Sequence, residues 1–272
     1  MLSTIWNTLL VNPLFNVLVF FDSLAGSLGL AIILLTLTIR SALLPLMLNS
    51  LKSAKKQRDL QPELEKIKKK FRHDKKKQAE MQMELFKEHG INPASGCVTQ
   101  IPILIVLFAL FNVINTLTRA TSLSEINSLI YFESLKFTAL ENIHSNFLWL
   151  KLGEPDPLFV LAILAGLFQL IVSKMTQPYT EVGQKAAERT PGKADDFAYN
   201  MQSQMLYLMP LMTVLIGVRL PAGVTLYILT TTIFSVFQQY YVSGFGGLTP
   251  WLEKIGVKSA PVKVSKPAKK KK

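Results

Sequence analysis

Residues 26–48 read GSLGLAIILLTLTIRSALLPLML, 23 positions with one charge, Arg40, among them. A helix rises about 1.5 Å per residue and the bilayer hydrocarbon is about 30 Å thick, so about 20 apolar residues are enough to cross it. The stretch therefore predicts a transmembrane helix. Four more candidates follow, at 98–117, 158–175, 205–218 and 224–242. The fourth is short by itself, so its helix is expected to begin within the polar 197–205 stretch and to bend at Pro210. Only residues 219–223 separate it from the fifth, which predicts a tight turn between antiparallel helices. Asp156-Pro157 ahead of the third reads as an N-cap followed by proline at the first helical position. The expected fold class is an all-α polytopic membrane protein: five transmembrane helices, a cytoplasmic helical hairpin and an N-terminal interfacial helix.

Composition points the same way. The 272 residues are 49% hydrophobic, yet 30 Lys and Arg against 18 Asp and Glu give a net charge of +12. A mean hydropathy of +0.30 together with that charge disfavours a soluble nucleic-acid binder and requires the two properties to be segregated along the chain. A single cysteine, Cys97, excludes a disulfide framework and a Cys-cluster zinc site, and His73, His89 and His144 are too scattered for a paired metal motif. No metal or cofactor is expected.

Segment 1–25 is apolar only over residues 9–21 and is broken from the first span by Asp22 to Gly26, so it is expected to lie in the outer interface. A secretory signal would need an early positive charge, and the first 39 residues contain no Lys or Arg. Segment 49–97 holds 13 basic residues. The 118–157 connection holds three, Arg119, Lys136 and Lys151, against five acids, and the 176–204 connection is nearly neutral. After residue 242 there are eight Lys and one Glu. Positive segments stay in the cytoplasm, so the N-terminus is placed outside and the C-terminus inside.

Within 49–97, Leu60, Leu64, Ile67 and Phe71 share one helical face, and Ala79, Met83 and Phe86 repeat the pattern after a break at 72–75. Two helices with facing apolar stripes make a hairpin. Its lysines read either as a solvated face that fixes topology or as a surface for anionic headgroups, ribosomal RNA or an acidic partner. The tail is assigned to 243–272 and disorder is expected there, because its residues 258–272 mix Lys, Pro, Ser, Ala and Val, end in four lysines and have too little apolar surface to offset ordering. Such a polycation binds headgroups or RNA phosphates by releasing counterions.

Arg40 lies eight residues before Leu48, about 12 Å of helix from the cytoplasmic end. Burying it in the bilayer costs about 2.5–3.5 kcal/mol on insertion scales, so it is a functional candidate, with snorkelling as the plain alternative. Thr36 lies one turn outward on the same face. Other spans add Gln100, Asn112, Asn115, Gln169, Thr230, Thr231, Thr232, Ser235, Gln238 and Gln239, but no Asp or Glu. A cation with only neutral polar company implies water, hence a hydrated cavity reaching in from the cytoplasm and suited to an anionic segment.

These residues resemble one family, the YidC-type membrane protein insertases, over nearly the whole chain from Leu14 to Tyr241. Thr36, Arg40 and Pro45 resemble the family's arginine helix, and Leu60-Gln61-Pro62-Glu63 its hairpin. Phe86-Lys87-Glu88-His89-Gly90-Ile91-Asn92-Pro93, then Gly96-Cys97 with Gln100 and Pro102, resemble the approach to the second core span. Phe147-Leu148-Trp149 with Pro155-Asp156-Pro157 resemble the element before the third. Pro221-Ala222-Gly223, Leu226-Tyr227 and Gln238-Gln239 resemble the fifth. The resemblance implies the minimal five-span form in a bacterial cell membrane, without a large extracytoplasmic domain.

It further implies that the chain accepts hydrophobic segments of nascent membrane proteins in a hydrophilic groove open to cytoplasm and lipid. Arg40, Thr36, Gln100, Asn112, Gln169, Tyr227 and Ser235 are the groove residues so implied. The third and fifth spans would receive the client's apolar helix, which is then released into lipid. Candidate partners are nascent clients, the ribosome through tail and hairpin, a Sec-type translocon and anionic lipids, with no DNA. A small-solute transporter or channel is the main rival, and it would show inverted repeats or a coupling carboxylate in a span, neither of which is present. A membrane enzyme would need a nucleophile with a base, and Cys97 has no histidine near it in sequence. Gly166 reads as a helix-packing contact, and Met201, Met205, Met209 and Met212 as core filler.

Overall fold

The structure is a computed structural model and describes residues 2–71, 73–91, 100–140, 143, 145–176 and 195–254. It begins with α1 (Leu2–Trp6), which passes through a π-helical turn (Asn7–Val11) into α2 (Asn12–Ala25). Gly26 ends this run at φ +62, its N–H bonded to the carbonyl of Asp22; a residue without Cβ adopts that conformation most easily. The dozen-residue apolar segment expected here is in fact a continuous helix, and Thr4–Ala25 is long and apolar enough to cross a membrane. Asn7, Asn12 and Asn16 interrupt the apolar run without interrupting the helix. Asn16 is buried and satisfied: its Nδ2 donates to the carbonyls of Asn12 and Leu129, both at 2.8 Å, and its Oδ1 accepts from the Tyr131 N–H at 2.7 Å.

The span expected at 26–48 is divided. Helix α3 (Leu28–Ala42) ends at Leu43, and α4 (Leu44–Asp59) leaves it at 63°. Pro45 is the physical reason, since it has no N–H for the carbonyl four residues back and its ring crowds that turn. Leu28, Ala31, Ile32, Leu35, Thr36 and Arg40 form the buried face of α3. Leu30, Leu34 and Leu37 are on the exposed side.

Helices α5 (Gln61–Lys70) and α6 (Lys75–Glu88) make the expected hairpin, with Asp74 capping α6 by accepting from the Lys77 N–H at 2.9 Å. Its small core is Leu60, Leu64, Leu85, Phe86 and Ile91, flanked by Ile67. The stripe expected on α6 is therefore corrected: Phe86 is buried, whereas Ala79 and Met83 are exposed. The buried apolar contact lies at the end of α6, where the chain turns back and the Ile91 N–H reaches the Phe86 carbonyl at 2.8 Å, while Lys77 at its start lies 5.7 Å from the Phe71 ring.

Helix α7 (Gln100–Arg119) leads into a connection with a short helix α8 (Leu123–Asn127) and an antiparallel pair, β1 (Asn146–Phe147) and β2 (Leu150–Lys151). Helices α9 (Val160–Thr176), α10 (Asp195–Gly217) and α11 (Ala222–Ser243) follow. Asp156 does cap α9, but from four positions ahead of it rather than next to its start. Its Oδ1 accepts from the Leu158 N–H at 3.0 Å and its Oδ2 from the Leu161 N–H at 2.9 Å.

Helix α11 is the centre of the bundle and packs on α3, α4, α7 and α9, while α10 packs on α9. Gly166 permits that last approach, since a Cβ there would stand 2.3 Å from the Val214 side chain. Phe15, Leu18, Ile32, Leu110, Ile114 and Leu152 belong to the common core. The tail is ordered further than expected: a 3-10 turn (Gly246–Leu248) and α12 (Thr249–Lys254) follow α11. Lys174 secures α12, its Nζ lying 5.0 Å above the Trp251 ring. Residues 255–272, most of the 176–204 connection and Cys97 lie outside the described residues.

Candidate functional site

Arg40 faces inward from the last turn of α3 and is 3% exposed. Its Nη1 donates to the Met47 Sδ at 3.4 Å, and its Nη2 to the Thr231 carbonyl at 3.5 Å. The same carbonyl accepts from the Ser235 hydroxyl at 2.9 Å, and Gln238 Nε2 approaches the Met47 sulfur at 3.8 Å. The site thus combines α3, α4 and α11. Met47, seven residues after Arg40 and so on the same side of the chain two turns on, lies over the guanidinium from beyond the break at Leu43.

The partners are weak. A thioether and a carbonyl at the outer limit of hydrogen-bond distance do not neutralise a cation. Among the described residues no carboxylate meets Arg40, and the described ion pairs, Lys136–Glu133 and Lys151–Glu154, both lie in the 118–157 connection. The sequence implies open water around this side chain, but in the structure Met47 and α11 cover it.

The other expected groove residues separate into groups. Tyr227 is buried on α11, within electrostatic range of Arg40, and its hydroxyl donates to the Ile103 carbonyl at 3.4 Å, which ties α11 to α7. Ser235 joins Arg40 through the shared carbonyl. Thr36 is fully buried with its hydroxyl bonded to the Ile32 carbonyl at 2.6 Å, so its polarity is satisfied within α3. Gln169 is half-buried on α9. Asn112 is exposed, on the side of α7 that carries Ile101, Leu104 and Phe108, and is not brought to Arg40. The side chain of Gln100 lies outside the described residues.

Two participants were not singled out as groove residues. Gln238 was visible as a polar residue in a span, but Met47 gives no sequence signal, because an apolar thioether in an apolar run looks like any other core residue.

A profile of the family described as 60Kd inner membrane protein matches residues 20–246. A Fusobacterium nucleatum protein named membrane protein insertase YidC is 34% identical over 221 residues, which cover 81% of this chain and 88% of that one. A Bacillus anthracis protein named membrane protein insertase YidC 2 is 33% identical over 246 residues, covering 88% and 82% respectively. Among solved structures, an active YidC insertase crystal structure with its first transmembrane domain resolved matches with a TM-score of 0.56 at 25% identity. That match covers 82% of this chain and 43% of the longer one. Profile, relatives and fold agree over the same region, and the chain belongs to the 60Kd inner membrane protein family, that of the YidC membrane protein insertases.

Proposed function

We propose that the chain is a membrane protein insertase in which an acidic segment of a nascent client meets Arg40 from the cytoplasmic side while the client's apolar helix passes along α9 and α11 into lipid. The observation that carries this reading is a buried guanidinium held by a thioether and a carbonyl and, among the described residues, by no carboxylate. A charge so placed is costly, and a client carboxylate, or water preceding it, offsets that cost. Met47 and Gln238 must move aside first, and the break at Leu43 is where α4 can swing.

In this reading α3, α7, α9, α10 and α11 are the five spans, with the N-terminus outside and the C-terminus in the cytoplasm. Helix α2 lies along the outer surface, a reading supported by the bonds of Asn16 to Leu129 and Tyr131 and by the packing of the helix on residues 133–135. The basic hairpin and tail then meet anionic headgroups, the ribosome or a Sec-type translocon. Transfer of the apolar helix into lipid supplies the driving force, so no bond is made or broken.

The test is insertion of a short single-span client with an acidic N-tail into liposomes containing the purified protein. Wild type and Arg40→Lys are expected to insert it and Arg40→Ala to fail. Equal insertion by Arg40→Ala would overturn the role of the charge, and no insertion by wild type above empty liposomes would overturn the insertase reading itself.

A further inference from the structure

Four large apolar side chains stand exposed together at the outer end of the bundle: Leu148 and Trp149 at the tip of the β1–β2 hairpin, and Leu158 and Phe159 just ahead of α9. Leu148 is 76% exposed and Leu158 62%. Leu148 and Phe159 are the two non-glycine residues with positive φ among the described residues, at 54° and 56°. Bulky residues adopt that conformation only where their surroundings impose it. Asp156 holds the two pieces together, since its Oδ1 accepts from the Trp149 indole N–H at 3.2 Å as well as from the Leu158 N–H.

This rim is fixed to three helices at their outer ends. Phe147 packs onto Gly29 at the start of α3 so closely that a Cβ there would stand 2.2 Å from the ring. The Ala222 N–H donates to the Glu154 carbonyl at 2.7 Å and the Gly223 N–H to the Leu152 carbonyl at 3.0 Å, which joins the loop to the start of α11. Asp156 joins it to α9.

We propose that Leu148, Trp149, Leu158 and Phe159 form an outer-leaflet anchor that inserts into the phospholipid boundary. Continuity with the lipid-facing side of the spans identifies lipid as the occupant. Phe159, Ile163 and Leu167 recur at four-residue spacing, all exposed, and the Ile163 N–H bonds the Phe159 carbonyl at 3.0 Å, so one stripe runs from the rim down α9. Exposed Lys151 adjoins the rim in sequence, paired with exposed Glu154 at 3.6 Å, and is a cation that lipid phosphates can meet. With its N–H held by Asp156, the Trp149 ring is an interfacial group that needs no water at its polar end. The anchor fixes the depth of α3, α9 and α11 together, independently of anything bound near Arg40.

The experiment uses the full chain with Trp149 as its single tryptophan (Trp6→Phe, Trp251→Phe), reconstituted in phosphatidylcholine and phosphatidylglycerol vesicles and checked for helix content by circular dichroism. Trp149 emission is expected to fall when the lipids carry bromine near the headgroup end of the acyl chain, to fall less with bromine near the chain terminus, and to resist aqueous iodide. Quenching by iodide but not by brominated lipid, or by neither, overturns the proposal. A nitroxide at Leu148→Cys in a Cys97→Ser background gives a second reading: oxygen should relax it more than a water-soluble nickel chelate, and the reverse order overturns the anchor.

Discussion

The two ends of the bundle are built differently. At the end that carries the 118–157 connection, backbone and side-chain bonds from residues 145–156 reach α9 and α11, Phe147 packs on α3, and Asn16 ties α2 to Leu129. At the other end α4 turns away at 63°, and the hairpin it leads to has a core of five residues separate from that of the bundle. Helix α4, which leads to it, is joined to the bundle by its packing on α11, by Met47, and by Lys55, whose Nζ donates to the Val242 carbonyl at 2.9 Å in the last turn of α11. The proposed insertion, with a client entering from one side only, calls for this asymmetry: many fixed points at one end and fewer at the other.

The sharpest way to break the comparison is in the hairpin. Leu64→Ala is expected to cost about 2–5 kcal/mol locally. Hydrogen exchange should then accelerate in residues 61–88 and not in α3 or α11, and acceleration in both would mean that the two ends are one cooperative unit. Next, Gly29→Ala forces the Phe147 ring to shift and is expected to cost about 1–3 kcal/mol, read as a lower thermal midpoint of the whole bundle in detergent. Asp156→Ala removes the cap of α9 and should cost about 1–2 kcal/mol by the same measurement. Lys55→Met has the smallest effect, about 0.3–1 kcal/mol, and should accelerate exchange at the α4–α11 contact while leaving the outer end unchanged.

Length and apolarity made most of the helices legible, because crossing a bilayer imposes a length that composition can meet or fail. Arg40 was legible for the same reason, as a charge where hydrocarbon should be. Depth along a helix is easier to read than direction around it. Asn112 has the polarity and depth of a groove residue, but the buried side of α7 is Ala109, Leu110, Val113, Ile114 and Leu117, and Asn112 falls opposite. Pro45 was visible, but the 63° turn beside it and the place of Met47 between Arg40 and Gln238 depend on how α4 packs against α11. The extent of the N-terminal helix was hidden by its asparagines, of which Asn16 finds partners in Leu129 and Tyr131, more than a hundred residues away.

The central claim is that Arg40 acts on a client's negative charge, and a double-mutant cycle tests it most directly. Insertion into liposomes would be followed for one client with an acidic tail and for the same client with those acids changed to their amides, each with wild type and with Arg40→Gln. The account predicts that Arg40→Gln slows the acidic client and leaves the neutral one nearly unchanged. Equal slowing of both would contradict it, because Arg40 would then be supporting the fold of the bundle rather than meeting the charge of what enters it.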